Sequence, residues 1–501
     1  MKWDEPRGLR QSMRWLHTWS GLVPGWLLFA VFLTGTLAFF RQEITFWMQP
    51  ELHTASAATI DYAAISRALE AHAPGAAQWT ISLPGARQPV VSLNWQNAGE
   101  RFSRTPKLLL DPATGQVLSP RATVGGNFLY RFHYELYGMN PILGRWIVGI
   151  ATMLMMVALL SGIIVHKKIF TDFFTFRPGK GKRSWMDGHI LASVASLPFH
   201  LVITFSGLVL LGFWLLPTAY PDGLDKGRQN PQRAAPEKAL ISGLPAPQVN
   251  LGMLVSAAET SWGGAPAGTL TVKNPGTPVA VVEIRARYTS AVAEGRNAAP
   301  VARFSGTTGE ALPDPASASA SVMQRVSSVL MAVHRGFYAL PWVRWLLFLG
   351  GVLGSLMIAT GLALWVEARK KKAPSRGVRL AEILNVGAVA GLILAVAAQF
   401  WANRLVPADW ASRSAWEIGV FFVVWGLSFA YATWRPGLLA WRQTLAAAGL
   451  ALALLPLGNL PYVFLYESLT TGRWLVAGFD LTALAAGGLL LWTARKIGRK
   501  N

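Results

Sequence analysis

ILGRWIVGIATMLMMVALLSGIIV, residues 142–165, carries a single charged side chain, Arg145. A helix rises about 1.5 Å per residue, so about 20 such residues cross the hydrocarbon of a bilayer. Seven further stretches read the same way: His17–Phe40, Ile190–Leu216, Val343–Val366, Leu380–Ala402, Trp416–Trp434, Leu445–Leu465 and Trp474–Ala494. The first resembles a signal peptide, but Ala55 and Ala57 lie well beyond its end, so it reads as a retained helix. The expected fold class is an α-helical integral membrane protein of about eight transmembrane helices.

Composition agrees. Only 14% of the 501 residues are charged and 52% are hydrophobic, against about a quarter charged in soluble domains. The net charge of +21 lies in short runs between apolar stretches rather than in one stripe, which points to lipid and away from nucleic acid. One side of the membrane would receive Lys2, Arg7, Arg10 and Arg14, the loop Lys167–Arg183, the run Arg369–Arg379, Arg435, Arg442 and the tail Arg495–Lys500. The short loops opposite hold only Arg404, Arg413 and Arg473. That bias predicts both termini in the cytoplasm of a bacterial inner membrane. With no Cys, the chain can form no disulfide, thiolate-held cluster or C-x-x-C-H haem attachment.

Two segments are polar enough for the periplasm, 49–140 and 217–341. They lie between the leading tail and helix (1–48), two spans with a basic loop (141–216), a fourth span (342–368) and four C-terminal spans (369–501). Each opens with an amphipathic helix, Ile60–His72 or Leu251–Thr260. Strand signals follow at Val90–Trp95 and Lys107–Leu110, and at Gly268–Lys273 and Val279–Arg287. Each then shows a Gly-centred turn, Asp111–Gly115 or Ser305–Gly309. Both are expected to be small α+β modules; the Pro-rich 222–247 reads as linker.

The modules belong to a longer repeat. His17 precedes Gly35 of a Thr-Gly pair by 18 residues, as His189 precedes Gly207 of a Ser-Gly pair. His133 and His334 precede the second and fourth spans, which carry Ser161-Gly162 and Thr360-Gly361. The unit helix–module–helix occurs twice.

Of eight His, six lie in or beside the first four spans and none in the last four. His53 and His72 read as solvated. His200, in SLPFHLV, sits inside an apolar helix, about 16 Å along the axis from His189 and on nearly the same face. A buried imidazole in hydrocarbon is costly without a partner, so it marks function. Zinc would want Cys or carboxylates gathered at one level, and a proton relay would want acids inside the first four spans; neither is found. Bis-His haem b fits better, because neutral imidazoles ligate the iron and apolar helices wrap the ring. His133 and His334 would hold one haem; His166, His189, His17 and His200 supply the other, with the pairing open. Two haems are preferred and three possible. Arg131, Arg335, Arg344, Lys167 and Lys168 are candidate propionate partners. Met153, Met155 and Met156 read as packing.

Met13–Phe40, Ser161–Pro178, Ser184–Gly207 and the His334 region with Arg344-Trp345-Leu346-Leu347 resemble the PepSY-associated transmembrane family, closest to FoxB/PiuB-like ferrisiderophore reductases. Asp111–Gly115 is similar to the end of a PepSY module; Ser305-Gly306 departs from its Asp-Pro. The likeness covers the first four spans and both modules. It implies an oxidoreductase that passes electrons through haem to periplasmic ferric siderophore during iron uptake. No G-x-G-x-x-G fingerprint is present, so the electron donor would be a quinol or a separate reductase. The rivals are a regulatory membrane protein whose modules bind a periplasmic partner without redox chemistry, and a transporter of the chelate. A transporter would favour broken helices in inverted halves, whereas this repeat is parallel.

Overall fold

A computed structural model describes residues 8–55, 59–100, 106–166, 177, 181–215, 249–287, 299–313, 322–336, 341–370, 375–435, 437–462 and 474–497. In chain order the helices open with α1 (Leu9–Leu22), α2 (Gly25–Ala38), α3 (Arg41–Trp47) and α4 (Tyr62–His72). Strands β1 (Gln78–Ser82), β2 (Val91–Gln96), β3 (Leu108–Leu110) and β4 (Val117–Leu118) follow. Next come α5 (Gly126–Glu135), α6 (Pro141–Val165), α7 (Lys182–Ala195), α8 (Leu197–Leu215) and α9 (Leu251–Ser261). Then β5 (Ala267–Lys273), β6 (Val281–Ala286), β7 (Val301–Ser305) and β8 (Ala311–Leu312) lead to α10 (Val322–Arg335) and α11 (Pro341–Lys370). The chain closes with α12 (Arg376–Asn385), α13 (Leu392–Leu405), α14 (Arg413–Trp434), α15 (Leu438–Ala453) and α16 (Trp474–Lys496). Two compact units result. One holds Met1–Pro50, Arg121–Leu215 and Ala339–Asn501; the other holds Glu51–Pro120 and Leu216–Tyr338.

The first unit is the membrane unit. Six of its helices are long and apolar enough to cross a bilayer, Arg376–Leu405 counting as one. Two bent pairs bring the number to eight if each pair is one span. The first and third expected spans are therefore not straight rods. α1 and α2 meet at 61°, and α7 and α8 at 68°. Pro24 and Pro198 sit at these breaks, where a missing N–H and a clashing ring interrupt the helix ladder. Between α12 and α13 the turns widen to a π-helix over Val386–Gly391, all of it buried. Small residues bring backbones together: a Cβ on Gly487 would lie 2.5 Å from the Ala453 nitrogen, fixing the α15–α16 contact.

The second unit is one eight-stranded sheet of order β4-β3-β2-β1-β5-β6-β7-β8. The two expected modules do not keep separate sheets. β1 and β5 pair antiparallel, Ile81 opposite Leu270 and Trp79 opposite Val272, and so fuse the two halves. Strand alternation puts Trp79, Ile81, Leu93, Leu270, Val272, Val282, Ile284 and Phe304 on one face. Ile65 and Leu69 of α4 and Leu254 and Val255 of α9 cover that face. Asp61 and Asn250 cap the two helices by accepting backbone N–H groups. In the turn Asp111–Gly115, the Asp111 carboxylate accepts the N–H of Ala113 and Thr114, and Gly115 supplies φ 69°. The matching turn uses the Ser305 hydroxyl and Gly309 at φ 76°. Burial, reinforced by the Glu259 carboxylate, pushes the Tyr62 hydroxyl up to about 12.

His72 is exposed, as expected, but His53 is 2% exposed and so buried. It follows the short 3-10 turn Pro50–Leu52, which carries the chain inward at Leu52. Ile81 is wholly buried at the fused centre. Ile81→Ala should cost about 2–5 kcal/mol, read as faster amide exchange in both β1 and β5.

Candidate functional site

Three histidines of the membrane unit sit in the same kind of seat. His17 Nδ1 lies 2.8 Å from the Ala158 carbonyl on α6. His189 Nδ1 lies 2.9 Å from the Met357 carbonyl on α11. His133 Nδ1 lies 2.7 Å from the Val31 carbonyl on α2. Each carbonyl stands four residues before a glycine, Gly162, Gly361 or Gly35, and the ring rests on that glycine. A Cβ there would come within 3.0 Å of His17, 3.1 Å of His189 and 2.5 Å of His133. The residue before each glycine, Ser161, Thr360 or Thr34, turns its hydroxyl back to the same carbonyl at 3.1, 3.0 and 3.4 Å.

That seat decides the tautomer. A carbonyl only accepts, so each Nδ1 carries the hydrogen and each Nε2 keeps its lone pair. A carbonyl behind an imidazole is also the usual support of a metal-ligating His, since it fixes the ring and raises its basicity.

Two of the seats face each other. The His17 and His189 ring centres are 6.3 Å apart with planes at 63°. A ligating nitrogen sits about 2 Å from its metal and the ring centre about 1 Å beyond, so two imidazoles on one iron stand about 6 Å apart. At that spacing His17 and His189 would be the residues to hold a haem iron, which would supply one-electron chemistry. Four elements supply the pair and its seats: α1, α6, α7 and α11.

The other expected ligands are placed differently. His166 is the C-cap of α6 and acts electrostatically on His189. His334 falls on α10, in the sheet unit. His200 is fully buried, but its Nε2 is 2.9 Å from the Ser196 hydroxyl. Ser196 also bonds the Ala192 carbonyl at 2.9 Å. The His200 ring lies against α11 at Gly350 and Gly354, where a Cβ on Gly354 would come 3.1 Å from Nε2.

Among the propionate candidates, Arg131 is paired with Glu135 at 2.6 Å, and Arg145 reaches the same carboxylate at 2.9 Å. Arg344 bonds Glu43 at 3.0 Å, both largely buried. Arg335 closes α10. Lys167 and Lys168 lie outside the described residues, as does the linker 222–247. Met155 is buried and Met153 half exposed, as packing residues would be.

The sequence reading assigned Arg404 and Arg413 to exposed loops; both are buried. α13 and α14 run far enough to enclose them, and each guanidinium finds polar partners. Arg404 Nε donates to Asn459 Oδ1 at 3.0 Å, and its guanidinium lies 3.7 Å over the Trp47 ring. Asn459 in turn donates to both Asp480 oxygens at 3.0 and 2.9 Å, and Trp47 Nε1 donates to Asp480 at 2.8 Å. Arg413 pairs with Glu417, which also accepts from Asn403 at 2.7 Å and Thr123 at 2.6 Å. Asn385 accepts from Trp26 Nε1 at 2.7 Å and donates to the Leu362 carbonyl at 3.2 Å. The polar residues of the last four spans, unpaired in sequence, thus tie those helices to α2, α3 and the segment before α5. Only their isolation in apolar stretches could have signalled this.

The profile of the PepSY-associated TM region matches residues 14–368. An uncharacterised protein of Pseudomonas aeruginosa is 28% identical over 385 residues, covering 73% of this chain and 93% of its own length. The histidine seats on α1, α5, α6, α7 and α11 all lie inside the matched region, and the last four spans lie outside it. The chain belongs to the PepSY-associated TM region family.

Proposed function

We propose that this protein is a haem-b electron-transfer protein of the bacterial inner membrane that reduces a ferric siderophore at the periplasmic face. The facing pair His17 and His189, each with Nδ1 spent on a carbonyl and Nε2 free, carries the reading. His133, seated alike, would be a ligand of a second haem. Haem iron bound there supplies one-electron chemistry at two depths. The chain's own residues fix the direction of each seated imidazole through its carbonyl and exclude water with apolar helices. The termini are cytoplasmic in this reading, and the sheet unit is periplasmic. A quinol or separate reductase is the donor. Reduction of the chelated iron lowers its charge and weakens hard oxygen ligation, which releases Fe(II).

Protein reduced with dithionite and freed of excess reductant should be reoxidised by a ferric siderophore, with Fe(II) captured by a ferrous chelator. It should stay reduced with the gallium chelate. Reduced protein that ignores the ferric chelate would refute the assignment. The glycine seats give a second test. Gly35→Ala should lower bound haem markedly, because its Cβ would lie 2.5 Å from the His133 ring, whereas Gly21→Ala, with nothing within 4 Å, should leave haem unchanged. Absorbance per chain reads both.

A further inference from the structure

Leu362 follows the glycine on which His189 rests, and contacts from two other helices converge on it. The seat itself is residues 357–361 of α11: His189 Nδ1 lies 2.9 Å from the Met357 carbonyl, and a Cβ on Gly361 would come 3.1 Å from the ring. The Leu362 carbonyl, next along the helix, accepts Asn385 Nδ2 at 3.2 Å. Asn385 Oδ1 accepts Trp26 Nε1 at 2.7 Å, and a Cβ on the adjacent Gly25 would come 2.8 Å from the Leu362 side chain. The contacts close on themselves. α2 reaches α11 directly at Gly25, and again through the amide at the end of α12.

Asn385 is 2% exposed and uses both ends of its amide. Gln399, on the same span and just as buried, leaves its Oε1 without a hydrogen bond. A backbone carbonyl has two lone pairs, so Leu362 can take the amide hydrogen and keep its helix bond. Val366, Val378 and Ala381 pack with Trp26 and Trp365 around this corner. No water is needed there to satisfy the amide, and a bond in apolar surroundings is stronger than one in water. The π-helix begins at the next residue, and Trp425 Nε1 donates to its Gly387 carbonyl at 3.0 Å, so α14 fixes the end of α12 from the far side.

We infer that Asn385 is a positioning residue for His189: by tying Leu362 to Trp26 it holds the Gly361 face of α11 against the imidazole ring. It acts through the seat, since its own hydrogen bonds go to Trp26 and Leu362. What His189 then holds rests on the haem reading above; the orientation of its ring does not. Asn385 lies beyond residues 14–368, so the C-terminal spans gain a share in a site whose histidines all belong to the family region. Losing an outer partner of a metal-ligating imidazole typically weakens metal binding about 10–100-fold.

The test follows haem release from the full chain in lipid nanodiscs to excess apomyoglobin, with H133A identifying which haem leaves. N385L, close in shape and without either hydrogen bond, should speed loss from the His17–His189 pair about tenfold and leave the other haem unchanged. W26F, which keeps the Leu362 bond, should speed the same loss by less, and it decides the matter if N385L does not fold. Q399L, an equal change at an amide whose oxygen bonds nothing, should alter neither rate. Solid-state ¹⁵N spectra of the histidine-labelled, haem-free chain supply the second arm. The His189 Nδ1 resonance, assigned with H189Q, should move in N385L, and that of His133 should not. A role in stability alone would loosen both haems together and leave the resonance in place. Equal loss of both haems, an unchanged rate in N385L or W26F, or an unmoved His189 resonance would overturn the inference. Wild-type protein that binds no haem would overturn the haem reading instead, and the imidazole spectra would still decide whether Asn385 orients His189.

Discussion

Protein carrying His189→Ala should purify with one haem per chain instead of two, and His17→Ala should do the same. The rings face each other at 6.3 Å, so either substitution leaves a single imidazole where the reading requires two. The double variant should lose no more haem than either single one, because both residues serve one site and their effects cannot add. His133→Ala should remove the other haem and spare this one. His72, exposed and bonded to the Ala68 carbonyl, is the control: His72→Ala should leave both haems in place. Haem content and the reduced-minus-oxidised spectrum read all five variants. Two haems in His189→Ala would show that the facing pair holds nothing.

Arg404→Ala should be the most destabilising single change in the C-terminal helices. It removes the guanidinium that lies against Trp47 and bonds Asn459, and it leaves Asp480 as a buried carboxylate with no cation in its network. Breaking a buried ionic arrangement by removing one member costs about 3–5 kcal/mol. Asp480→Asn keeps the volume and one acceptor for Trp47 or Asn459, so its cost should be near the ~1 kcal/mol of a hydrogen bond. Arg495→Ala, in the exposed last turn of α16, should cost less than about 0.5 kcal/mol. Unfolding followed by intrinsic tryptophan fluorescence in detergent should rank the three in that order. An Arg404→Ala midpoint equal to that of Arg495→Ala would contradict the network's role. The same variant should also disturb the His133 haem, since Trp47 and Trp26 anchor the two ends of the α2–α3 stretch that carries the Val31–Gly35 seat.

The apolar runs reveal the spans because each is written in contiguous residues. Their bends were harder to foresee, since Pro24 and Pro198 lie inside runs whose hydropathy does not change. The two helices and the Gly turns of the sheet unit are local signals and stand in the sequence. The fusion of β1 with β5 is not local: it pairs strands nearly 200 residues apart, and no side-chain pattern names that partner. The site divides in the same way. The His and the small-residue pairs are visible one by one, and Thr34-Gly35 can be seen 18 residues after His17. Yet His17 rests on Gly162 and His133 on Gly35, because a ring seats on a neighbouring helix rather than its own. Which histidines lie together follows from helix packing. The burial of Arg404 and Arg413 was illegible for the same reason, their partners being contributed by distant helices.

Haem per chain, measured as the pyridine haemochrome on purified full-length protein with its concentration fixed by amino-acid analysis, decides the matter. Two b haems are expected. A chain that folds in lipid and binds none would mean that the seated imidazoles serve packing alone.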